Sequence, residues 1–321
     1  MSTSPVAPAP VDAIGRSASP RAKRHPDAFR RQQARLGWAL SAPALVVVAG
    51  VTIFPIAYAI AMSLSNVTAT GNGFSLSGLT GSNYSIMVQA PQWRYALFFT
   101  VLYTVITVAV EVVLGTCIAL VLERLAAGRG WMMALLLVPW SMITVINAEL
   151  WLYIYNPVYG VLDNIFSHIG LGTPVILGTR VPAIAALMVA DVWKTTPFVA
   201  IIVLAGLVMI PRDYYEAAEV DGATGWQAFW KVTLPQLRPT IALAVLFRVL
   251  QAFGLFDLPF VLTSGGPGYS TQPLAILAYN AMFRDLDFGP GAAVATSTAL
   301  LVVVGCVAFI KVFRAQVGTE A

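Results

Sequence analysis

Apolar residues run along this chain in six blocks, about 39–63, 95–122, 131–153, 181–209, 240–262 and 289–313, separated by shorter polar segments bearing Gly and Pro. About 20 helical residues at a rise of roughly 1.5 Å each cross a hydrocarbon core, so every block is long enough for one span. Runs such as LLVVVGCVAF lack the apolar–polar alternation of a membrane β-strand. The pattern predicts an all-α membrane protein with six transmembrane helices. Composition excludes an ordinary soluble domain: 58% of 321 residues are hydrophobic, 11% are charged, and the mean hydropathy is +0.77. The first block follows Arg30, Arg31 and Arg35 and is longer than the core of a signal peptide, so it reads as an uncleaved first span.

Charge sets the expected orientation. Of 19 Lys and Arg residues, fourteen fall in the N-terminal tail, in the 123–130 and 210–239 loops, or at the end of the last block and the C-terminal tail beyond it, whereas Arg94, Arg180 and Arg284 stand alone in the opposite loops. Basic residues resist translocation, so the first side is predicted to be cytoplasmic, with both termini inside. The expected organisation is a basic, largely disordered tail over 1–37, a transmembrane domain over 38–313 and a short cytoplasmic tail over 314–321. External segments 64–94, 154–180 and 263–288 are expected as loops with short surface helices. Cys117 and Cys306 lie inside spans without metal or redox spacing and read as packing residues.

Ionisable residues at membrane depth are costly and face cavities or one another. Glu111, Glu149, Asp191, Lys194, Arg248 and Asp257 are such positions. Asp191 and Lys194, three residues apart, can pair on one helical face, and Pro197 frees a backbone carbonyl beside them. That face reads either as a pathway lining or as a structural ion pair. For Arg248, eight residues from the cytoplasmic end, snorkelling to the interface is the alternative. Glu111 is expected to bond a neighbouring helix, and Glu149 and Asp257 to lie toward the external mouth.

The 210–239 loop has its own logic. In EAAEVDGATGWQAFWKVTLP, Glu216, Ala217, Ala218 and Glu219 favour a helix, Gly222 supplies a corner, and Trp226, Phe229 and Trp230 share one face of a second helix. This helix–corner–helix element, polar and cytoplasmic, packs on its own membrane domain, lies in the headgroup zone as an interfacial helix, or docks on a partner. Its spacing resembles the EAA loop of permease subunits of bacterial ABC importers. DVWKTTPF (191–198) and LFDLPFVLTSGGPGYST (255–271) resemble the carbohydrate-uptake branch with MalF-type permeases, and within it the trehalose permeases of mycobacteria.

The resemblance, over roughly 95–313, implies a type I importer permease fold and a coupling loop docked in a cytoplasmic ATPase. Glu216, Ala217, Ala218, Asp221, Gly222, Trp226 and Phe229 are the implied coupling residues. It also implies a second homologous permease, an ATPase dimer that binds ATP and Mg, an extracellular sugar-binding protein, and a sugar such as trehalose as substrate. No Walker A sequence occurs here, and no catalytic residue, metal site, nucleic-acid partner or cofactor of this chain's own is expected. Sugars need aromatic faces and convergent polar groups, which helical stripes supply at Trp140, Thr144 and Asn147, at Asp191, Lys194 and Phe198, and at Arg248, Gln251 and Leu255. The family's sugar-lining positions fall on Trp140, Thr144, Asp191, Lys194, Thr195, Phe198, Arg248, Ala252 and Leu255. Competing functions are an ion-coupled secondary sugar carrier, with the carboxylates as ion sites, and an anchoring protein without transport.

Overall fold

The computed structural model describes residues 26–71, 73–125, 127–170 and 175–317, so most of the expected N-terminal tail and the last residues of the C-terminal one lie outside the described residues. The chain divides into two units at Pro55 and Ile56. The described residues of the first unit form a single helical stretch, the N-terminal part of α1 (Pro26–Ser63). The second contains everything that follows.

In the second unit, a hairpin of β1 (Ser65–Thr70) and β2 (Gly73–Leu79) leads to α2 (Ser82–Gln89) and α3 (Pro91–Arg124). Then come α4 (Arg129–Ser141), α5 (Thr144–Ile154), α6 (Val161–His168), α7 (Arg180–Val208) and α8 (Asp213–Val220). The chain closes with α9 (Gly225–Ala228), a π-helical turn over Phe229–Thr233, α10 (Leu234–Phe253), α11 (Asp257–Thr263), α12 (Leu274–Tyr279) and α13 (Phe288–Val317). Among the described residues five helices are long and apolar enough to cross a membrane, and the bent pair α4–α5 makes a sixth candidate.

Three departures from the sequence pattern matter. The block expected as one span over 131–153 is two helices meeting at 90°. Pro139 removes a ladder hydrogen bond in the last turn of α4, and Met142 and Ile143 then adopt extended backbone. The block at 240–262 belongs to a helix that starts earlier, at Gly225, and breaks at Gly254 before α11 begins. The segment 64–94, expected as a loop, begins with an antiparallel hairpin held at its base by the Asn83 amide, which donates to the carbonyls of Ser63 and Ser65 at 2.9 Å each.

The α3–α7 pair forms the spine of the second unit. Contact is close because Gly115 on α3 faces Val199 on α7, where an added Cβ would come within 2.8 Å of Val199 Cγ1. Small residues at crossings let helix backbones approach where lipid gives no hydrophobic drive for association. Gly206 plays the same part on α7, where a Cβ would meet Thr240 Oγ1 of α10 at 2.6 Å. One core cluster joins Phe99 and Tyr103 of α3 with Leu187 of α7 and Leu258 of α11; a second joins Leu122, Val203 and Leu237. The Tyr155 hydroxyl donates to the Ala186 carbonyl at 3.0 Å, which satisfies the polar end of a buried aromatic. Cys306 is partly buried but Cys117 is exposed, so the packing role expected of Cys117 is not seen.

The LTSGGPGYST segment is more than a turn. After Thr263, Ser264 and Gly265 take positive φ. The chain then folds inward so that Ser270, Thr271 and Gln272 are buried. Tyr95 donates to the Ser270 carbonyl at 2.8 Å, and Thr100 accepts from the Leu274 N–H at 3.1 Å, which pins the segment to α3.

Candidate functional site

The Gly115–Val199 contact fixes what lies one turn away. Glu111 precedes Gly115 by four residues and Thr195 precedes Val199 by four, so the close approach brings these two side chains face to face. Thr195 Oγ1 lies 2.6 Å from Glu111 Oε1 and 2.6 Å from the Asp191 carbonyl oxygen. Arg248 enters from α10. Its Nε donates to Glu111 Oε2, its Nη2 to Glu111 Oε1 at 2.8 Å and to Asp191 Oδ2 at 3.2 Å, and its Nη1 to Gln251 Oε1 at 2.9 Å. Arg248 is 2% exposed, Glu111 0% and Asp191 6%.

This clamp revises two expectations. Arg248 does not snorkel, because two carboxylates inside the protein satisfy it. Asp191 pairs across helices with Arg248 rather than along α7 with Lys194. Desolvating such ions costs several kcal/mol each, which a forked guanidinium–carboxylate pair with further hydrogen bonds can offset.

Beside the clamp is a cavity of about 360 Å³. Trp140 and Thr144 line it from the α4–α5 bend, Asp191, Lys194 and Thr195 from α7, and Arg248 and Gln251 from α10. The turn from Gly254 to Leu258 completes it. It therefore sits where two helices are interrupted, the position at which non-helical backbone is tolerated at membrane depth. The aromatic component is layered: Trp140 stacks on Phe198 with centroids 5.8 Å apart and planes 13° from parallel.

Eight of the eleven residues expected to meet substrate line this one cavity. Phe198 stands behind Trp140, and Ala252 is buried. Asn147 is 0% exposed, and both polar atoms of its amide are without a hydrogen-bond partner. Sequence reasoning missed Gly254, Phe256 and Leu258 as lining residues and put Asp257 at the mouth. Nothing in the apolar run 240–262 marks the break after Phe253 except Gly254 itself. Glu149 is exposed and outside the cavity.

The second feature lies at the other end of α10. α8 ends at Asp221, Gly222 turns the chain with φ +76°, and Thr224 caps α9 in a reciprocal box with Gln227. The Tyr215 hydroxyl and Thr233 Oγ1, 3.1 Å apart, tie the two arms of this corner. Glu216, Ala217, Asp221 and Gly222 are exposed and Ala218 is partly buried. Trp226, Phe229 and Trp230 form a mutual cluster with centroids 5.4–6.1 Å apart. The cluster borders an apolar groove of about 980 Å³ along α3, yet Trp226 is 70% exposed. Among the described residues no group of three or more His, Cys, Asp or Glu side chains has the arrangement of a metal site.

Residues 126–315 match the family described as binding-protein-dependent transport system inner membrane component. The trehalose/maltose transport system permease protein MalF of Thermococcus litoralis is 37% identical over 286 residues, covering 89% of this chain and 96% of its own. The trehalose transport system permease protein SugA of Mycobacterium tuberculosis is 37% identical over 292 residues, covering 89% of this chain and 91% of its own. The fold is shared with a chain in the crystal structure of a bacterial ABC transporter involved in import of the acidic polysaccharide alginate, at TM-score 0.75 and 21% identity over 89% of this chain and 98% of that one. With a family match over more than half its length and relatives of this identity across nearly all of it, the chain belongs to the binding-protein-dependent inner-membrane components, as a MalF-type permease subunit of an ABC importer.

Proposed function

We infer that this permease forms half of the translocation pathway of an ATP-driven sugar importer, with a disaccharide such as trehalose as its substrate. A second homologous permease supplies the other half, an extracellular binding protein delivers the sugar, and a separate ATPase dimer with ATP and Mg drives the cycle. In this reading both termini and the Gly222 corner are cytoplasmic. Glu216 to Gly222 dock on the ATPase, with Trp226 and Phe229 as flanking anchors, and the cavity beside Arg248 receives the sugar. Trp140 offers a ring face, and Gln251, Thr144, Lys194 and Asp257 offer donors and acceptors at the wall.

One observation carries the reading. Gly225 to Phe253 form a continuous helical rod that begins at the exposed corner and ends with Arg248 and Gln251 in the cavity wall. From Gly225 to Arg248 this spans about 35 Å at 1.5 Å per residue. A displacement imposed on the corner by closure of an ATPase dimer is passed along the rod to the cavity as a rigid-body shift. The test is uptake of labelled trehalose into proteoliposomes carrying the whole complex. ATP supplied on the ATPase side should drive uptake, and a protonophore should leave it unchanged. Trp140→Ala should raise the half-saturating sugar concentration several-fold, as loss of one stacking surface predicts. Uptake that needs no ATPase and collapses with the proton gradient would establish an ion-coupled carrier instead.

A further inference from the structure

Glu111 lies outside every helical stripe that marks the cavity, yet it governs what Arg248 can do there. A guanidinium has five N–H donors. Three bonds reach Glu111 and Asp191 and a fourth reaches Gln251, which leaves one donor for anything entering the cavity. Both Glu111 oxygens accept from Arg248, the forked pairing of an ionised acid, and the single Thr195 hydroxyl hydrogen serves either Glu111 or the Asp191 carbonyl. Taken together, the cavity and its clamp set Glu111, Asp191 and Asp257 against Lys194 and Arg248, an excess of one negative charge. Lys194, the lining cation outside these ion pairs, itself stands in the field of both Asp191 and Asp257.

We propose that Glu111 is a positioning residue that sets the charge class of the substrate: by neutralising Arg248 it restricts the cavity to uncharged sugars and excludes uronates and sugar phosphates. The proposal rests on the reading of the cavity as a sugar site. Uncharged hydroxyls can donate to Asp191, Asp257 and Gln251 and accept from Lys194 at no electrostatic penalty. An anionic sugar meets a wall whose own charges balance, with the Glu111 charge behind it and the guanidinium already engaged. If the Glu111 charge is removed, Arg248 becomes a buried cation lacking its principal partner, and an incoming carboxylate relieves that deficit.

The experiment measures equilibrium binding of radiolabelled trehalose and of its C6 uronic acid to the purified complex in detergent, without binding protein, so that only the membrane site discriminates. Wild type is expected to prefer trehalose by about tenfold or more, the scale of one unit charge at close range in a partly screened site. Glu111→Gln should shift the affinity ratio toward the uronic acid by about tenfold or more. Glu111→Asp should keep the wild-type ratio. Asp191→Asn removes the weaker partner of Arg248, should shift the ratio the same way by less, and serves if Glu111→Gln does not assemble. An unchanged ratio, or equal loss of both ligands, in both neutralised variants overturns the proposal while leaving the sugar site intact. Wild type that binds the two ligands equally also overturns it. Wild type that binds neither sinks the sugar reading and the proposal together.

Discussion

Glu111 and Glu216 are both carboxylates carried on helices, and the molecule treats them in opposite ways. Glu111 is enclosed, with Arg248 and Thr195 on its two oxygens. Glu216 stands on the open side of a corner at which even an added Cβ on Gly222 would touch nothing within 4 Å. One region is built so that its charges are consumed internally, the other so that its surface is free to be held. Helix α10, with the turns before it, joins them.

The comparison is broken most severely from the buried side. Arg248→Met should destabilise the permease by about 3–5 kcal/mol, because two carboxylates then lose their buried counter-ion. Combining it with Glu111→Leu should recover much of that loss, leaving only Asp191, at the cavity edge, without its cation. Thermal unfolding of the purified complex measures both, and additive losses in the double variant would show that the clamp is not a unit.

At the corner the expected effects are smaller in stability and larger in coupling. Gly222→Ala places a Cβ at φ +76°, a cost of about 1–2 kcal/mol. It should lower sugar uptake per ATP hydrolysed far more than it lowers the unfolding temperature. Thr224→Ala removes the cap on α9 and should cost about 1 kcal/mol with partial loss of coupling. Measuring uptake and hydrolysis in the same vesicles separates the two effects. If uptake and hydrolysis fall in proportion in both variants, the corner serves only to hold the protein together.

How much of this can be read from sequence follows from the range of the signals. The corner is legible because Gly222 and the helix formers around Glu216 act within a few residues of one another, whereas the capping of α9 by Thr224 and Gln227 is seen only in the structure. The lining at Trp140, Asp191, Lys194 and Gln251 is legible from helical spacing, which tells which side chains share a face. Which charge meets which is not. Periodicity favours Asp191 with Lys194, a local pair, whereas the observed partner Arg248 is 57 residues away and is selected by how α10 packs on α7, where Gly206 meets Thr240. The helix breaks at Ser141 and Gly254 are marked in the sequence only by Pro139 and by Gly254 itself, since hydropathy records the solvent and not the direction of the chain.

The central claim is that a stiff helical connection links the corner to the cavity, and inserting two glycines between Thr233 and Leu234 tests it directly. Both ends keep their own residues, but the rod gains a soft joint, as glycines inside helices do. The ATPase should still copurify and trehalose should still bind, while ATP-driven uptake is lost. Uptake at the wild-type rate through the softened connection would contradict it.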